Sequence, residues 1–223
     1  MTGVAAMMAG TYSVPVASGG GGDANWASVK MLLRGGGTNG SSTIIDSTGL
    51  RTFNAATGTA PSYTSTRSKW TTTSINFGGN GGLNVEATSV TDLDLNGDYT
   101  IEFWYYMTTS GGALLGASLF GRILLFTDLY CETGNGSSVI GSASASSGLS
   151  TNVWTHIAVT RSGTTVRVFK DGTQVSSYTV SGTPNTSNDI EIGHFNGAGN
   201  YLTGQMEDLR WTKGVARYTA NFT

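Results

Sequence analysis

The sequence predicts an all-β fold, and three observations carry that expectation. First, glycine supplies 33 of the 223 residues while charged residues make up only 12%, and glycine and serine are unfavourable in helix interiors. Second, Thr, Val, Tyr and Trp are abundant and suit a pleated surface; only three prolines interrupt the ladders they could form. Third, apolar residues alternate with polar ones over short runs that end in tight-turn dipeptides. Asn-Gly begins at 39, 96, 135 and 196, and Asp-Gly at 171; both tolerate positive φ.

Taken in order, residues 1–25 read as an N-terminal arm that closes in Ser18 and four consecutive glycines, a flexible linker by composition. Val4, Met7, Met8, Tyr12, Val14 and Val16 are too few to fold alone. They form either a loose tail or an apolar anchor for assembly, for which Met7, Met8, Tyr12 and Val14 are the candidates. The apolar run at 4–9 lacks a cationic flank and is too short for a signal-peptide core. Residues 26–223 read as one domain. Strands are expected at 29–34, 74–77, 83–87, 99–107, 122–127, 138–143, 153–161, 164–170, 174–180, 189–193 and 201–212.

The segment WTHIAVTRSGTTVRVFKDGTQV, 154–175, is strand, turn, strand, turn, strand. With Ser162-Gly163 as one turn, Val159 faces Val166 and Ile157 faces Val168. With Asp171-Gly172 as the next, Val168 faces Val175. Both registers put the same branched residues on one side, the core face. His156, Arg167, Phe169 and Gln174 then point away from the core.

Several stretches resemble the laminin G-like group of concanavalin A-type jelly rolls: LLRGGGTNGSSTIIDSTG at 32–49, the aromatic strand YTIEFWYYM at 99–107, the meander above, and DIEIG followed by GQMEDLRWTKGVARYTANF at the close. The resemblance covers roughly residues 29–222 and implies an antiparallel two-sheet jelly-roll β-sandwich behind a short extended arm. The closing phrase is similar to repeats in tailed-phage and bacterial surface proteins. It implies a structural protein of a virus particle, a capsid decoration, head fibre or tail-fibre component, displayed on the virion surface after synthesis in the host cytoplasm. Such a protein would assemble with other virion proteins and copies of itself. This sequence departs from the family at LLRGG, where similar sequences carry LLHFDG, which weakens the inference of a ligand at that loop.

Binding and chemistry have separate candidates. Glu102, Trp104 and Tyr106 alternate on one face of strand 99–107, opposite Ile101, Phe103 and Tyr105. With Tyr201 they could hold a cell-surface glycan, a carboxylate beside aromatic rings; the alternative is that both faces of the strand are buried, as Trp and Tyr often are. Asp189 and Glu191 leave one strand face about 7 Å apart, near the separation of two glycosidase carboxylates. The jelly-roll glucanases that the group resembles use three alternating acids, and here the flanking positions are Ser187 and Gly193, so no catalytic residue is assigned. In similar proteins acids near Asp46 and near Glu207 and Asp208 hold a structural calcium ion, which takes six to eight oxygens. Glu207 and Asp208 point to opposite faces, so at most one serves, and a salt partner such as Arg210 or Arg217 accounts for either equally well.

Other classes are excluded. A net charge of −2 without a cluster of Lys and Arg argues against nucleic acid. No stretch is long enough to span a bilayer as a helix. Cys131 stands alone, so no intrachain disulfide forms, and Cys131, His156 and His194 lack zinc-ligand spacing. No GxSxG elbow or P-loop occurs. The sequence is therefore expected to act through its surface, not as an enzyme.

Overall fold

The computed structural model describes residues 22–56, 58–85, 91–116, 123–185, 190–195 and 200–223. Met7, Met8, Tyr12 and Val14 lie outside these residues. Among the described residues there are two 3₁₀ turns, Trp26–Ser28 and Thr91–Leu93, and no α-helix.

Everything else regular is strand. The larger sheet contains β1 (Val29–Leu33), β3 (Ser62–Thr64), β4 (Ser74–Gly78), β6 (Tyr99–Met107), β11 (Trp154–Ser162), β12 (Thr165–Lys170), β13 (Thr173–Thr179) and β15 (Thr203–Lys213). Its order is β13-β12-β11-β6-β15-β4-β3, and β1 pairs with the second half of β15. The smaller sheet contains β2 (Phe53–Ala55), β5 (Leu83–Val85), β7 (Ala113–Gly116), β8 (Ile123–Phe126), β9 (Cys131–Gly134), β10 (Val139–Ala143) and β14 (Ile190–Ile192), in the order β10-β9-β8-β7-β14-β5-β2. All pairings are antiparallel. The two sheets form a jelly-roll sandwich.

Period-two patterning explains the core. Tyr99, Ile101, Phe103, Tyr105 and Met107 of β6 point inward and are buried, as are Ile157 and Val159 of β11 and Val166 and Val168 of β12. Leu83, Val85, Leu115, Leu125, Ile190 and Ile192 meet them from the smaller sheet. Burying each such side chain contributes roughly 1.5–3 kcal/mol. The four strands absent from the sequence reading, β2, β3, β7 and β9, have three or four residues each, too few to display an alternation.

The meander keeps its predicted faces and changes its register. Val159 pairs with Val168, and Ser162 with Thr165, so the first turn is Gly163-Thr164. Gly163 takes φ 60°, the positive φ that a II′ turn places at its first central residue and that serine resists. Sliding the turn by one residue moves the pairing by two, which leaves every side chain on its face. Asp171-Gly172 is the second turn as expected, with φ of 48° and 79°. A bulge between Val168 and Phe169 then sets Val168 against Ser176 and not Val175.

The face away from the core is also largely covered, as the alternative reading of strand 99–107 has it. His156 is 2% exposed and Phe169 fully buried, because residues 214–222 run back across the larger sheet as a strap. The hydroxyls of Thr100 and Thr160 donate to the carbonyls of Val215 and Tyr218, and the Phe222 N–H donates to the Gly172 carbonyl. The rings of Tyr218 and Phe222 stack on each other and pack on Phe169, and Phe222 also meets His156 edge-on.

Gly172 is where the strap can be tested. A methyl group there would run into the Phe222 carbonyl, whereas at Gly163 it would meet open space. Gly163→Ala is expected to cost only the positive-φ penalty, about 1–2 kcal/mol. Gly172→Ala is expected to lose more stability in urea titration and to make the bonds following Gly214 more susceptible to limited proteolysis.

Candidate functional site

Four rows of side chains cross the outer face of the larger sheet over β11, β6 and β15. They are Thr160–Thr100–Thr212, Ala158–Glu102–Arg210, His156–Trp104–Glu207 and Trp154–Tyr106–Gln205. The strap seals the first two. The third row is buried as well, with Phe222 of the strap against His156, and the face opens only at Trp154 and Tyr106 of the fourth.

Glu102 occupies the sealed part. It is 1% exposed, with Arg210 Nε 3.2 Å, Arg217 Nε 3.6 Å and His156 Nε2 3.5 Å from its carboxylate, and it accepts a 2.8 Å hydrogen bond from the Tyr218 hydroxyl. Asp23 balances the arginines, bonded to both Arg210 and Arg217. Burial alone would raise the Glu102 pKa, but Arg210, His156 and Arg217 outweigh it and hold the carboxyl down at about 2. Burial likewise opposes ionisation of Asp23, and Arg217 and Arg210 keep its pKa below the ordinary value. Arg210 reaches this row through a bulge in β15 between Glu207 and Arg210, where Asp208 adopts φ 53°. With its oxygens enclosed and engaged, Glu102 is a structural carboxylate and is removed from the predicted glycan set.

Trp104 and Tyr106 do lie together on the outer face. Trp104 is 9% exposed and packs against His156 and, edge-on, against Trp70, which is 38% exposed. Tyr106 is half-buried and meets the ring of Trp154 edge-on at 5.7 Å. Lys69 Nζ sits 4.3 Å from the Trp104 ring centre, and the Arg67 guanidinium lies over Tyr106. Tyr201 is elsewhere. It stacks on His194, whose Nε2 is 2.8 Å from Asn84 Oδ1 on the outer face of the smaller sheet. Trp154, Trp70, Arg67 and Gln205 were missed by sequence reasoning; pairing 154–162 with 99–107 in register would have found Trp154.

The three acids proposed for calcium do not converge. Asp46 Oδ1 accepts the N–H groups of Leu32 and Thr48, and Oδ2 accepts the Thr48 hydroxyl and the Leu50 N–H. Glu207 Oε2 accepts the N–H groups of Lys69 and Trp70, and Oε1 the Thr71 hydroxyl. Asp208 faces Arg34 at 3.4 Å, and burial raises its pKa. Oxygens surrounded by N–H and O–H donors are poorly disposed to a cation, and among the described residues no three acid, His or Cys side chains are grouped to hold one. The residues do not fit calcium. Of the LLRGG departure, Gly35 has a steric reason, since a side chain there would collide with the Thr73 carbonyl and with Glu207.

Glu191 is half-buried on β14 and pairs with Asn84 and Gly116; Asp189 lies outside the described residues. Cys131 is fully buried, and burial pushes its thiol up to about 12, far from a reactive thiolate. A cleft of about 450 Å³ at one end of the sandwich is lined by Met107, Phe126, Asp128, Leu149 and Asn200 among others.

A family model described as the concanavalin A-like lectin/glucanases superfamily matches residues 77–216, more than half of the chain. None of the curated proteins matches. Among solved structures, domain 4 of AbnA, an extracellular GH43 arabinanase from Geobacillus stearothermophilus in complex with arabinotriose, is similar with a TM-score of 0.62 and 17% identity, over 85% of this chain and 95% of that one. The binding domain of Paraclostridial Mosquitocidal Protein 1 is similar with a TM-score of 0.59 and 16% identity, over 88% of this chain and 50% of that one. The binding domain of botulinum neurotoxin DC in complex with SialylT gives 0.59 and 12%, over 83% and 48%. The chain thus spans about half the length of these two toxin domains, and at such identities the likeness is one of fold.

The Glu102 cluster predicts a pH dependence. The folded pKa lies below the ordinary 4.5, so the stabilisation from ionised Glu102 is complete above about 4.5 and is lost as pH falls towards 2. Glu102→Gln, which leaves buried arginines short of an anion, is expected to cost about 3–5 kcal/mol at pH 7. It is also expected to flatten the slope of stability against pH between 4.5 and 2, as measured by urea titration at several pH values.

Proposed function

The chain belongs to the concanavalin A-like lectin/glucanases superfamily, and we propose that it acts as a non-enzymatic glycan-binding module. One observation carries this reading. Beside the sealed charge cluster, Trp70 is exposed and Tyr106 and Trp154 are half-buried around the buried ring of Trp104 on the outer face of the larger sheet. Aromatic rings on a rigid sheet offer flat apolar surface with polar groups at their edges, the combination that suits the C–H face and hydroxyl rim of a sugar. The cations of Arg67 and Lys69 hold two of those rings in place. The similar arabinanase domain was solved with arabinotriose and the similar neurotoxin domain with SialylT, which supports a sugar as ligand.

The finer reading is a structural protein of a virus particle, a capsid decoration, head fibre or tail-fibre component, that presents this sandwich on the virion surface. Its support is the closing phrase GVARYTANF, similar to repeats of tailed-phage proteins. That phrase forms the strap whose Arg217 and Tyr218 close the Glu102 cluster. Residues 1–25 are the proposed anchor, through Met7, Met8, Tyr12 and Val14, to other virion proteins or to further copies of the chain.

Two measurements test these readings. On an array carrying arabino-oligosaccharides and sialylated oligosaccharides, the protein is expected to bind saturably, with at least about a tenfold loss in Trp70→Ala or Tyr106→Ala proteins of unchanged circular dichroism. Absence of binding to every sugar overturns the glycan reading. Removing residues 1–21 is expected to abolish attachment to the particle while leaving the unfolding midpoint of the sandwich unchanged; full decoration by the shortened chain overturns the anchor.

A further inference from the structure

We propose that the outer face of the larger sheet carries a subsite for an uncharged sugar at Gln205, where the buried Gln205–Asn76 amide pair is completed by a hydroxyl of an oligosaccharide whose neighbouring ring rests on Trp154. This rests on the glycan-binding reading and gives it a place and a ligand chemistry.

The subsite is a line of five residues, each directly opposite the next on adjacent strands. Ser62 of β3 faces Asn76 of β4, Asn76 faces Gln205 of β15, Gln205 faces Tyr106 of β6, and Tyr106 faces Trp154 of β11. Four interstrand steps give a track of about 19 Å across the sheet. All five side chains are formally uncharged, and they pass from hydroxyl through two amides to two aromatic rings. An extended oligosaccharide lying across the strands meets hydrogen-bonding groups at one end and a stacking surface at the other.

Gln205 specifies what must bind. It is only 5% exposed; its Nε2 donates to Asn76 Oδ1 at 2.7 Å, while its Oε1 is buried and without a hydrogen-bond partner. A buried amide oxygen in that condition is costly, and a ligand that satisfies it gains what the free protein lacks. A sugar hydroxyl both donates and accepts, so it completes the pair whichever way round the two amides stand. A carboxylate would bring a second acceptor to the amide oxygen and is disfavoured.

The approach to Gln205 passes the Arg67 side chain, which is exposed and lies over Tyr106, the residue opposite Gln205. A ring entering the track displaces the Arg67 guanidinium from Tyr106. The segment carrying Arg67 is held beside the track by Glu207, whose Oε2 takes the N–H groups of Lys69 and Trp70. The track is therefore preorganised, and a flexible side chain is its cover.

The test titrates the full chain with neutral arabino-, xylo-, gluco-, manno- and galacto-oligosaccharides, and with sialylated oligosaccharides, by calorimetry and by NMR of the side-chain amides. A neutral oligosaccharide is expected to bind and to shift the Gln205 side-chain amide signals of the unmodified protein, a readout that requires no variant to fold. Gln205→Met is expected to weaken binding about tenfold, Trp154→Ala to abolish it, and Tyr201→Ala, on the opposite sheet, to leave it unchanged. Neutral sugar binding that neither shifts Gln205 nor responds to Gln205→Met and Trp154→Ala overturns the subsite while leaving glycan binding standing. Binding of sialylated sugars alone overturns the uncharged ligand, and binding of none removes the underlying reading as well.

Discussion

The enclosed carboxylate of Glu102 is the constraint on which the rest of the outer face depends. An ionised group at 1% exposure is tolerable only with cations and donors around it, and these come from widely separated parts of the chain. Arg210 arrives on β15, Arg217 and Tyr218 on the strap, and Asp23 ahead of β1 neutralises the excess positive charge. Central strand, longest strand, entry segment and closing segment are thereby tied at one point. A buried ion network is a weak source of net stability, but it is intolerant of wrong partners, so it serves register and closure.

That requirement shapes β15. With regular pairing, the residue opposite Glu102 would be Leu209; the bulge at Asp208 inserts one residue and puts Arg210 there. Leu209 and Trp211 return to the core, both fully buried, while Glu207 points outward and is buried beneath the segment bearing Arg67, Lys69 and Trp70 that it fixes. One irregularity thus separates the Glu102 cluster from the rows of Trp104 and Tyr106, of which the outermost, at Tyr106 and Trp154, is partly exposed.

Much of this was legible in the chain and some was not. The alternation in YTIEFWYYM placed Ile101, Phe103 and Tyr105 inward, and Glu102, Trp104 and Tyr106 outward, as found. The branched residues of the meander were assigned to the correct face even though the first turn slid to Gly163-Thr164, because a two-residue shift preserves the face. His156 and Phe169 do point away from the core, but pairing rules describe a strand and its neighbours and not the segment that returns some fifty residues later to lie on top of them. Asp46, Glu207 and Asp208 were grouped by analogy with calcium sites; each is instead occupied by local N–H, hydroxyl or guanidinium groups. Tyr201 was grouped with Trp104 by composition and lies on the other sheet.

By itself the sequence determined the class of fold, the identity of the long strands and the inward set of side chains, because period-two hydrophobicity is a local property that burial reads directly. Only the tertiary structure decided which outward residues are sealed and which are open. That depends on a bulge, on a strap and on the strand order β11-β6-β15-β4-β3, which brings residues 154, 106, 205, 76 and 62 into one line. Contacts between residues so far apart along the chain come from closing two sheets around one core, and no local pattern encodes them.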